Sequence, residues 1–331
     1  MNPFIYSTLE KKILILSQSY LEGTTDTVCM WLNFLQAPYQ RFNGEDLFKL
    51  ENLNQLPNDD EVGLVWYRRK IAHMPVDFAT QNDSAHTHYT MNRFLINEFD
   101  TLHSLLFYAI DKAKWFNDPV IEDHLNKLRV LQLASKLGLK IPFTEVLTNK
   151  KSLIKLQQAY PVLIVKPLSD CIMLEDDDGN RFKMLTQVID QENMDLIPEQ
   201  FFPSMVQERV EKTLEIRSFY LDECFYSMAI FSQGNSKTTS DFRNYDKDHP
   251  NRTVPYKLPA DIASKLQQLM QRLNLKTGSI DLILDQNRDY YFLEINPAGQ
   301  FGMVSYPCNY YLEKKMATTL LKKLDNEKEI C

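Results

Sequence analysis

Three residues with hard oxygen side chains fall within one short segment of the sequence, residues 278–301. Glu294 and Asn296 are two positions apart in an apolar run that is typical of a strand, so their side chains share a face. Asp281 lies in the preceding apolar run and joins them only if it pairs directly across from Glu294. That pairing requires an even-numbered connection, such as the six residues Asp285 to Tyr290, because a five-residue loop would turn Asp281 to the other face.

Carboxylate and amide oxygens of this kind suit Mg²⁺, which is held by one or two carboxylates and completes its shell with water and substrate phosphates. The segment therefore predicts a magnesium site with Asp281, Glu294 and Asn296 as ligands. The alternative interpretation is a surface hairpin whose acids only face solvent, since short motifs carry a real false-positive risk.

An acid followed by Glu-x-Asn in the next strand resembles the ATP-grasp carboxylate ligases. The resemblance extends upstream and implies two lysines for the ATP phosphates, a hinge glutamate beside the adenine and, seven positions later, a glutamate for the ribose. These roles would fall on Lys127, Lys166, Glu208 and Glu215. The nucleotide-binding residues that the resemblance implies are Lys127, Lys166, Gln207, Glu208, Arg209, Val210 and Glu215.

Within that superfamily, four segments resemble the graspetide synthetases, the microviridin-type peptide macrocyclases that include the grasp-with-spasm maturases. The segments are VWYRRK (65–70), SMVQERVEKTLEIRSFYL (204–221), IFSQGNSKTTSDFRNYD (230–246) and LEINPAGQF (293–301). The resemblance covers nearly the whole chain and is most specific in the last 130 or so residues. It implies a precursor peptide with a leader segment as partner, and a homodimer.

The sequence around Lys127 and Lys166 also indicates how well each lysine suits a phosphate-binding role. Lys166 ends an apolar strand and precedes Pro167, where a charge would be partly buried and would need a partner. Lys127 lies near the start of a predicted helix, and a single lysine there is also consistent with a solvated helix face. Lysine is a competent point-charge partner for phosphate oxygens in either position.

Two arginines are the candidate catalytic cations. Arg217 follows Glu215 by two positions in a predicted strand, so both side chains point to one face; the alternative is a cross-strand ion pair of well under ~1 kcal/mol. Arg243 lies in a polar loop of residues 233–255. Its guanidinium would clamp a transferred phosphoryl group or a substrate carboxylate, and the alternative is an ordinary loop arginine.

The periodicity of the chain predicts an α/β protein with α+β lobes, and the resemblance implies an ATP-grasp fold. A βαβ unit at residues 12–42 opens an N-terminal pre-ATP-grasp domain, 1–117. A central lobe, 118–203, begins with a helix running from Asp118 to Gly138. The C-terminal lobe with the metal site, 204–331, contains the hairpin and a terminal helix at about 309–323.

Composition excludes several other classes of protein. The 331 residues carry a formal charge of -7, which leaves no basic footprint for nucleic acid. Glycines at nine positions never form GxxxxGK[ST] or GxGxxG, and five scattered cysteines form no CxxC pair, so a P-loop, a disulfide framework and a zinc site are not expected. The sequence predicts a cytoplasmic protein with no membrane span.

These residues and the resemblance together imply an ATP-dependent ligase that uses ATP and two Mg²⁺ ions. The main hypothesis, which the resemblance to the graspetide synthetases implies, is a macrocyclase that activates Asp or Glu side chains of a precursor peptide and joins them to Ser/Thr hydroxyls or Lys amines. A second hypothesis is an ATP-grasp ligase that adds an amino acid or small amine to a carboxylate. A third is a non-catalytic module that binds nucleotide or peptide.

Overall fold

A computed structural model describes residues 11–71, 84–169, 173–175, 181–183, 186–233 and 250–328. These residues form two compact units. Unit 1 holds the described residues up to Asp123, residues 300–305, and those from Tyr311 onward. Unit 2 holds His124–Gly299 and Tyr306–Tyr310. Within the described residues, no helix has both the length and the apolar composition that a membrane span requires.

The elements follow one another along the chain as β1 (Lys12–Ser17), α1 (Gly23–Phe34), β2 (Tyr39–Asn43), β3 (Val62–Tyr67), α2 (Ala85–Ala109), α3 (Pro119–Asp123), α4 (Lys127–Lys136), β4 (Thr144–Asn149), α5 (Lys150–Gln157), β5 (Leu163–Lys166), β6 (Met173–Glu175), β7 (Arg181–Lys183), β8 (Gln187–Ile189), β9 (Gln200–Glu208), β10 (Lys212–Leu221), β11 (Cys224–Phe231), β12 (Arg252–Tyr256), α6 (Ala260–Arg272), β13 (Thr277–Asp285), β14 (Tyr290–Asn296), α7 (Gly302–Ser305) and α8 (Leu312–Lys328). The mixture of helices and strands confirms the predicted α/β class.

Unit 1 is built on a parallel three-stranded sheet in the order β2-β1-β3. The predicted βαβ unit is present as β1, α1 and β2. Strand β3 is buried along its whole length and β1 along all but its first residue, which is why both sequences are nearly continuous apolar runs.

The terminal helix α8 belongs to unit 1, whereas the sequence placed it at the end of the C-terminal lobe. It packs against α1 and against strands β1 and β3. Leu312, Met316, Leu320 and Leu324 are buried at helical spacing and supply the apolar stripe for this contact. The sequence shows the stripe but not the surface that covers it.

The single helix predicted from Asp118 to Gly138 is wrong, because the structure has two helices there. Helix α3 ends at Asp123, and α4 begins at Lys127 after Asn126, whose side-chain oxygen accepts a hydrogen bond from the Arg129 amide at 3.0 Å. An asparagine that caps a helix in this way starts a new helix. The boundary between the two units falls in this break, after Asp123.

Unit 2 contains two antiparallel sheets. The first has the strand order β4-β9-β5-β8, the second has the order β12-β11-β10-β13-β14, and β6 and β7 pair as a separate hairpin. The predicted boundary at residue 203 falls within β9, the strand that precedes the second sheet. The division of the chain into domains at residue 203 remains a prediction.

The predicted polar loop 233–255 is shorter than the sequence indicated, since its last residues belong to β12. This strand lies at the edge of the second sheet and pairs only with β11 among the described strands. Pro255 lies within it, opposite Met228, and a proline is tolerated there because an edge strand does not need every amide as a donor.

Glu122, in α3, is a partly exposed acid with one fully buried carboxylate oxygen. Its Oε1 accepts a hydrogen bond from Asn117 Nδ2 at 2.6 Å. Within the described structure its Oε2 is buried without a hydrogen-bond partner. Burial raises the pKa of the Glu122 carboxyl to about 8, although the Asn117 hydrogen bond and the positive charge of Arg68 oppose the shift.

We predict that the free energy of unfolding of Glu122→Gln increases, relative to that of the wild type, as pH rises. A pKa raised on folding favours the folded state fully below the unfolded pKa, near 4.5, and this contribution is lost as pH rises through about 8. Glutamine keeps the acceptor for Asn117 and has no charge to bury. Urea unfolding should show the variant gaining on the order of 3 kcal/mol between pH 5 and pH 9. Exposed Glu98→Gln is the control, and a pH-independent difference for Glu122→Gln would contradict this assignment.

Candidate metal and nucleotide site

The predicted metal ligands lie together on one face of the second sheet. Asp281 of β13 is directly opposite Glu294 of β14, and Asn296, two residues further on, is opposite Ser279. On its other side Asp281 is directly opposite Arg217 of β10. Directly opposed residues of antiparallel strands point to the same face. Arg217, Asp281 and Glu294 therefore form a row across three strands.

The hairpin reaches this register by a route that the sequence did not predict. Its last Cα pair is Leu284–Tyr290, which leaves a five-residue connection, so the expected even-numbered connection is wrong. The register then shifts between Leu282, opposite Phe292, and Asp281, opposite Glu294. Leu293 is the extra residue of this β-bulge, and a bulge moves every later side chain to the other face.

Asp281 is bound by Arg217 in this arrangement. Arg217 Nη1 lies 3.1 Å from both carboxylate oxygens of Asp281, and both side chains are only 8% exposed. A buried carboxylate needs a countercharge because desolvation of an isolated ion is costly. The arginine supplies that charge next to a second carboxylate, Glu294.

Glu294 and Asn296 contact each other along the strand. Asn296 Nδ2 donates to Glu294 Oε1 at 3.3 Å, which leaves the amide oxygen of Asn296 as the atom for a cation. In the described part of the chain no group of three His, Cys, Asp or Glu side chains is arranged to hold a metal. Two carboxylates and one amide oxygen fit Mg²⁺, which takes few protein ligands and keeps water and phosphate oxygens.

Glu215 lies on the same strand as Arg217 and is held by two residues that the sequence analysis missed. Lys212 Nζ is 2.6 Å from Glu215 Oε1 and Ser232 Oγ donates to the same oxygen at 2.7 Å. Residues three apart in a regular strand face opposite sides. Here the register of β10 shifts between Lys212 and Leu214, which brings Lys212 to the face of Glu215.

Lys166 and Gln207 share a face of the first sheet, since Lys166 is opposite Met205 and Gln207 is opposite Ile164. Gln207 is buried and its Nε2 donates to Thr144 Oγ1 at 2.9 Å. Within the described residues its Oε1 is buried without a hydrogen-bond partner. This oxygen is an acceptor that a ligand donor such as an exocyclic amine would satisfy.

Glu208 faces the opposite side of this sheet from Lys166. Its Oε1 accepts a hydrogen bond from the Phe143 amide at 2.9 Å, which ties it to the residue before β4. It lines a cavity of about 650 Å³, together with Leu128 and Tyr160. The carboxylate is therefore separated from the face that carries Lys166 and Gln207.

The hinge between the two sheets of unit 2 borders a small crevice of about 40 Å³. It is lined by Ile164 of the first sheet and Ile283 of the second, together with Arg209, Val210 and Lys212. The crevice therefore brings apolar side chains of both sheets next to the hinge residues 209–211.

Lys127 is the first residue of α4, and its Nζ donates to the carbonyl oxygen of Ser169. Ser169 lies three residues after Lys166 in the sequence. The two lysines are thus linked through one segment of chain. Arg243, the second predicted catalytic arginine, lies outside the described residues.

No family model and no curated protein matches the chain. Several solved structures do match the chain. Macrocyclase MdnC from Microcystis aeruginosa MRC, bound with precursor peptide MdnA, is 23% identical over 94% of this chain and 100% of its own, with a TM-score of 0.78. A RiPP-associated ATP-grasp ligase from Chryseobacterium gregarium, in complex with ADP and a leader and core peptide, is 22% identical over 96% and 97%, with a TM-score of 0.76.

A third similar structure is ATP-grasp ligase PsnB, complexed with a phosphomimetic variant of minimal precursor, Mg and ADP. It is 14% identical over 95% of this chain and 99% of its own, with a TM-score of 0.70. These similarities establish the fold: the chain shares the fold of these ATP-grasp ligases along nearly its whole length. The resemblance predicted from the sequence is confirmed at the level of fold.

Gly299 closes the turn that follows Asn296, and we predict that Gly299→Ala is destabilising. The Gly299 amide donates to the Asn296 carbonyl oxygen at 3.0 Å. An added Cβ would lie 2.5 Å from Ser279 Cβ and 2.9 Å from the Asn296 carbonyl oxygen, so the backbone must move. Thermal or urea unfolding should show a loss of about 1–3 kcal/mol.

Gly23→Ala is the matched control, because an added Cβ there meets no atom within 4 Å and the residue lies in α1. It should be neutral or stabilising by less than about 1 kcal/mol. Equal effects of the two substitutions would show that the turn after Asn296 does not need its glycine.

Proposed function

We propose that this protein is an ATP-dependent peptide macrocyclase. It phosphorylates Asp or Glu side chains of a ribosomal precursor peptide and joins them to Ser or Thr hydroxyls as esters, or to Lys amines as amides. The observation that carries the proposal is the row of Arg217, Asp281 and Glu294, with Asn296 on the same face. This row lies in a fold that is shared with peptide-modifying ligases over at least 94% of the chain.

Asp281, Glu294 and Asn296 are proposed to hold two Mg²⁺ ions. The metal would neutralise the β- and γ-phosphates of ATP during in-line transfer. Asp281 would then be shared between a cation and Arg217, whose guanidinium is 3.1 Å away. That shared position would aim Arg217 at the transferred phosphoryl group while its own charge stays compensated.

The remaining predicted residues are proposed to bind the nucleotide. Lys127 and Lys166 would contact phosphate oxygens, and Gln207, Arg209 and Val210 would border the adenine. The buried Gln207 Oε1 would accept from the base. Because the Glu208 carboxylate faces the other side of its sheet, its contribution to the adenine site would come through its backbone.

Glu215 is proposed to accept a hydrogen bond from the ribose. Lys212 and Ser232, which hold its Oε1, would fix the carboxylate for that contact. Arg243 is proposed to orient the substrate carboxylate.

The chemistry needs activation because a carboxylate does not react with an alcohol or amine at neutral pH. Phosphorylation turns its oxygen into a leaving group, so a hydroxyl or amine of the same peptide can attack the acyl phosphate. Phosphate leaves and one ring closes for each molecule of ATP converted to ADP. The protein contributes position and positive charge, since the transferred phosphoryl group needs little covalent help.

The proposed partner is a precursor peptide with a leader segment. MdnC, the Chryseobacterium ligase and PsnB are described with precursor or leader and core peptides, which supports this partner for a chain of the same fold. A homodimer in the cytoplasm is proposed on the same resemblance.

The decisive test is incubation with ATP, Mg²⁺ and the cognate precursor, sought as a short reading frame beside the gene. Mass spectrometry should show loss of about one water mass per ring, with one ADP formed for each ring.

Asp281→Asn should lower the rate at least about 100-fold, because it removes a charge that binds the metal. Exposed Asp261→Asn in α6 is the matched control.

A gain of mass by an added amine would contradict macrocyclisation and support an ATP-grasp carboxylate–amine ligase. An unchanged peptide, with protein that binds ADP and Mg²⁺, would support a non-catalytic binding module. Undiminished turnover by Asp281→Asn would contradict the metal assignment.

A further inference from the structure

Ser279 of β13 carries a buried hydroxyl on the face of the second sheet that holds Asp281. The residue has no exposed surface, and within the described residues its Oγ has no hydrogen-bond partner. It lies two positions before Asp281 in a part of β13 without a register shift, so both side chains point to the same face. A buried hydroxyl without a partner costs free energy, and its presence requires an explanation.

The neighbours of Ser279 in the sheet limit the groups that its hydroxyl can bind. On one side the residue is directly opposite Phe219 of β10, and on the other it is directly opposite Asn296 of β14. Directly opposed side chains have Cβ atoms about 4.5–5.5 Å apart. Because phenylalanine has no hydrogen-bonding group in its side chain, Asn296 supplies the polar side chain next to this hydroxyl in the row.

The turn after β14 packs directly onto Ser279. The Gly299 amide donates to the Asn296 carbonyl oxygen at 3.0 Å, and a Cβ added to Gly299 would lie 2.5 Å from both Cβ and Oγ of Ser279. Ser279, Asn296 and Gly299 all belong to unit 2. Alanine at position 279 would fill almost the same space without a hydroxyl, so packing alone does not account for the serine.

The Asn296 amide needs acceptors for its nitrogen if its oxygen is to bind a cation. The side-chain nitrogen of asparagine has two N–H donors. One is directed at Glu294 Oε1 over 3.3 Å, which is long for a hydrogen bond. An acceptor at Ser279 would hold the nitrogen toward β13 and so distinguish the two ends of the amide, since an asparagine that presented its nitrogen to a cation would repel it.

We infer that Ser279 is a positioning residue for the metal site, whose hydroxyl oxygen accepts a hydrogen bond from Asn296 Nδ2 while the amide oxygen of Asn296 binds the cation. The inference rests on the proposed metal role of Asn296. In this arrangement the buried Ser279 hydroxyl gains a partner, and the amide is held by a second residue beside Glu294. Altering a residue that orients a metal ligand typically changes metal affinity about 10–100-fold.

The test is Mn²⁺ binding in the presence of ADP, measured by electron paramagnetic resonance of Mn²⁺ and by calorimetry, which needs no peptide and no turnover. Ser279→Ala should weaken Mn²⁺ binding about tenfold. Ser218→Ala is the matched control, because Ser218 is equally buried in the same sheet but lies on the opposite face, directly opposite Ile280. It should leave Mn²⁺ affinity unchanged. Wild-type Mn²⁺ affinity in Ser279→Ala would overturn the inference.

Thermal unfolding without metal or nucleotide separates positioning from packing. Because Ser279 Oγ has no partner within the described residues, Ser279→Ala should keep or raise the midpoint of unfolding. Ser218→Ala should lower it, because it removes the hydrogen bond between Ser218 Oγ and Ser227 Oγ at 2.7 Å. A purely structural role for Ser279 predicts the reverse pattern, a lowered midpoint with wild-type Mn²⁺ affinity.

A double-mutant cycle tests whether Ser279 acts through Asn296. Asn296→Ala alone should weaken Mn²⁺ binding, because it removes a ligand. In that background Ser279→Ala should cause no further loss, since the amide that it positions is absent. Additive losses from the two substitutions would contradict the inference.

Failure of the proposed function is distinguishable from failure of this inference. If the wild-type protein binds no Mn²⁺ with ADP, the metal role of Asn296 is refuted and the inference falls with it. If the wild type cyclises a precursor peptide and Ser279→Ala binds Mn²⁺ as the wild type does, the inference alone fails. If Mn²⁺ binding depends on Ser279 while no precursor peptide is cyclised, the positioning role stands and the macrocyclase proposal fails.

Discussion

Two carboxylates, those of Asp281 and Glu294, lie side by side on one face of the second sheet. The candidate site depends on a positive charge next to them, which Arg217 supplies. Asp281 and Glu294 are directly opposed on neighbouring strands, and carboxylates in such positions repel each other. Arg217 completes the row from the other side and binds both oxygens of Asp281. Arg217 therefore compensates Asp281, while the Glu294 carboxylate and the Asn296 amide lie on the same face.

Two β-bulges assemble this face. The bulge at Leu293 brings Asp281 opposite Glu294 in a hairpin whose five-residue connection would otherwise separate them. The bulge between Lys212 and Leu214 brings Lys212 to the side of Glu215. Bulges re-aim side chains next to functional sites in many proteins, and here each one moves a charged residue to the face where its partner lies.

Much of the fold could be predicted from the sequence because its signals are local. Continuous apolar runs marked β1 and β3, and two further apolar runs within residues 278–296 marked the hairpin of β13 and β14. The shared face of Glu294 and Asn296 follows from the strand period alone. The facing of Asp281 was predicted as a condition, and it is met through a bulge that has no local signal in the sequence.

The features that the sequence could not provide depend on tertiary contacts. Residues three apart in a regular strand face opposite sides, so the sequence does not predict the contact between Lys212 and Glu215. The apolar stripe of α8 is visible in the sequence, but it does not identify unit 1 as the surface that this helix packs against. The side of the sheet that Glu208 faces relative to Lys166 is set by the pairing of β5 with β9, which joins residues about 40 positions apart in the sequence.

The most direct measurement is the anomalous diffraction of Mn²⁺ in crystals grown with ADP. The account predicts manganese bonded to the oxygens of Asp281, Glu294 and Asn296 and to the terminal phosphate, with Arg217 still against Asp281. Manganese bound elsewhere, or Asp281 contacting Arg217 alone beside a bound ADP, would contradict it.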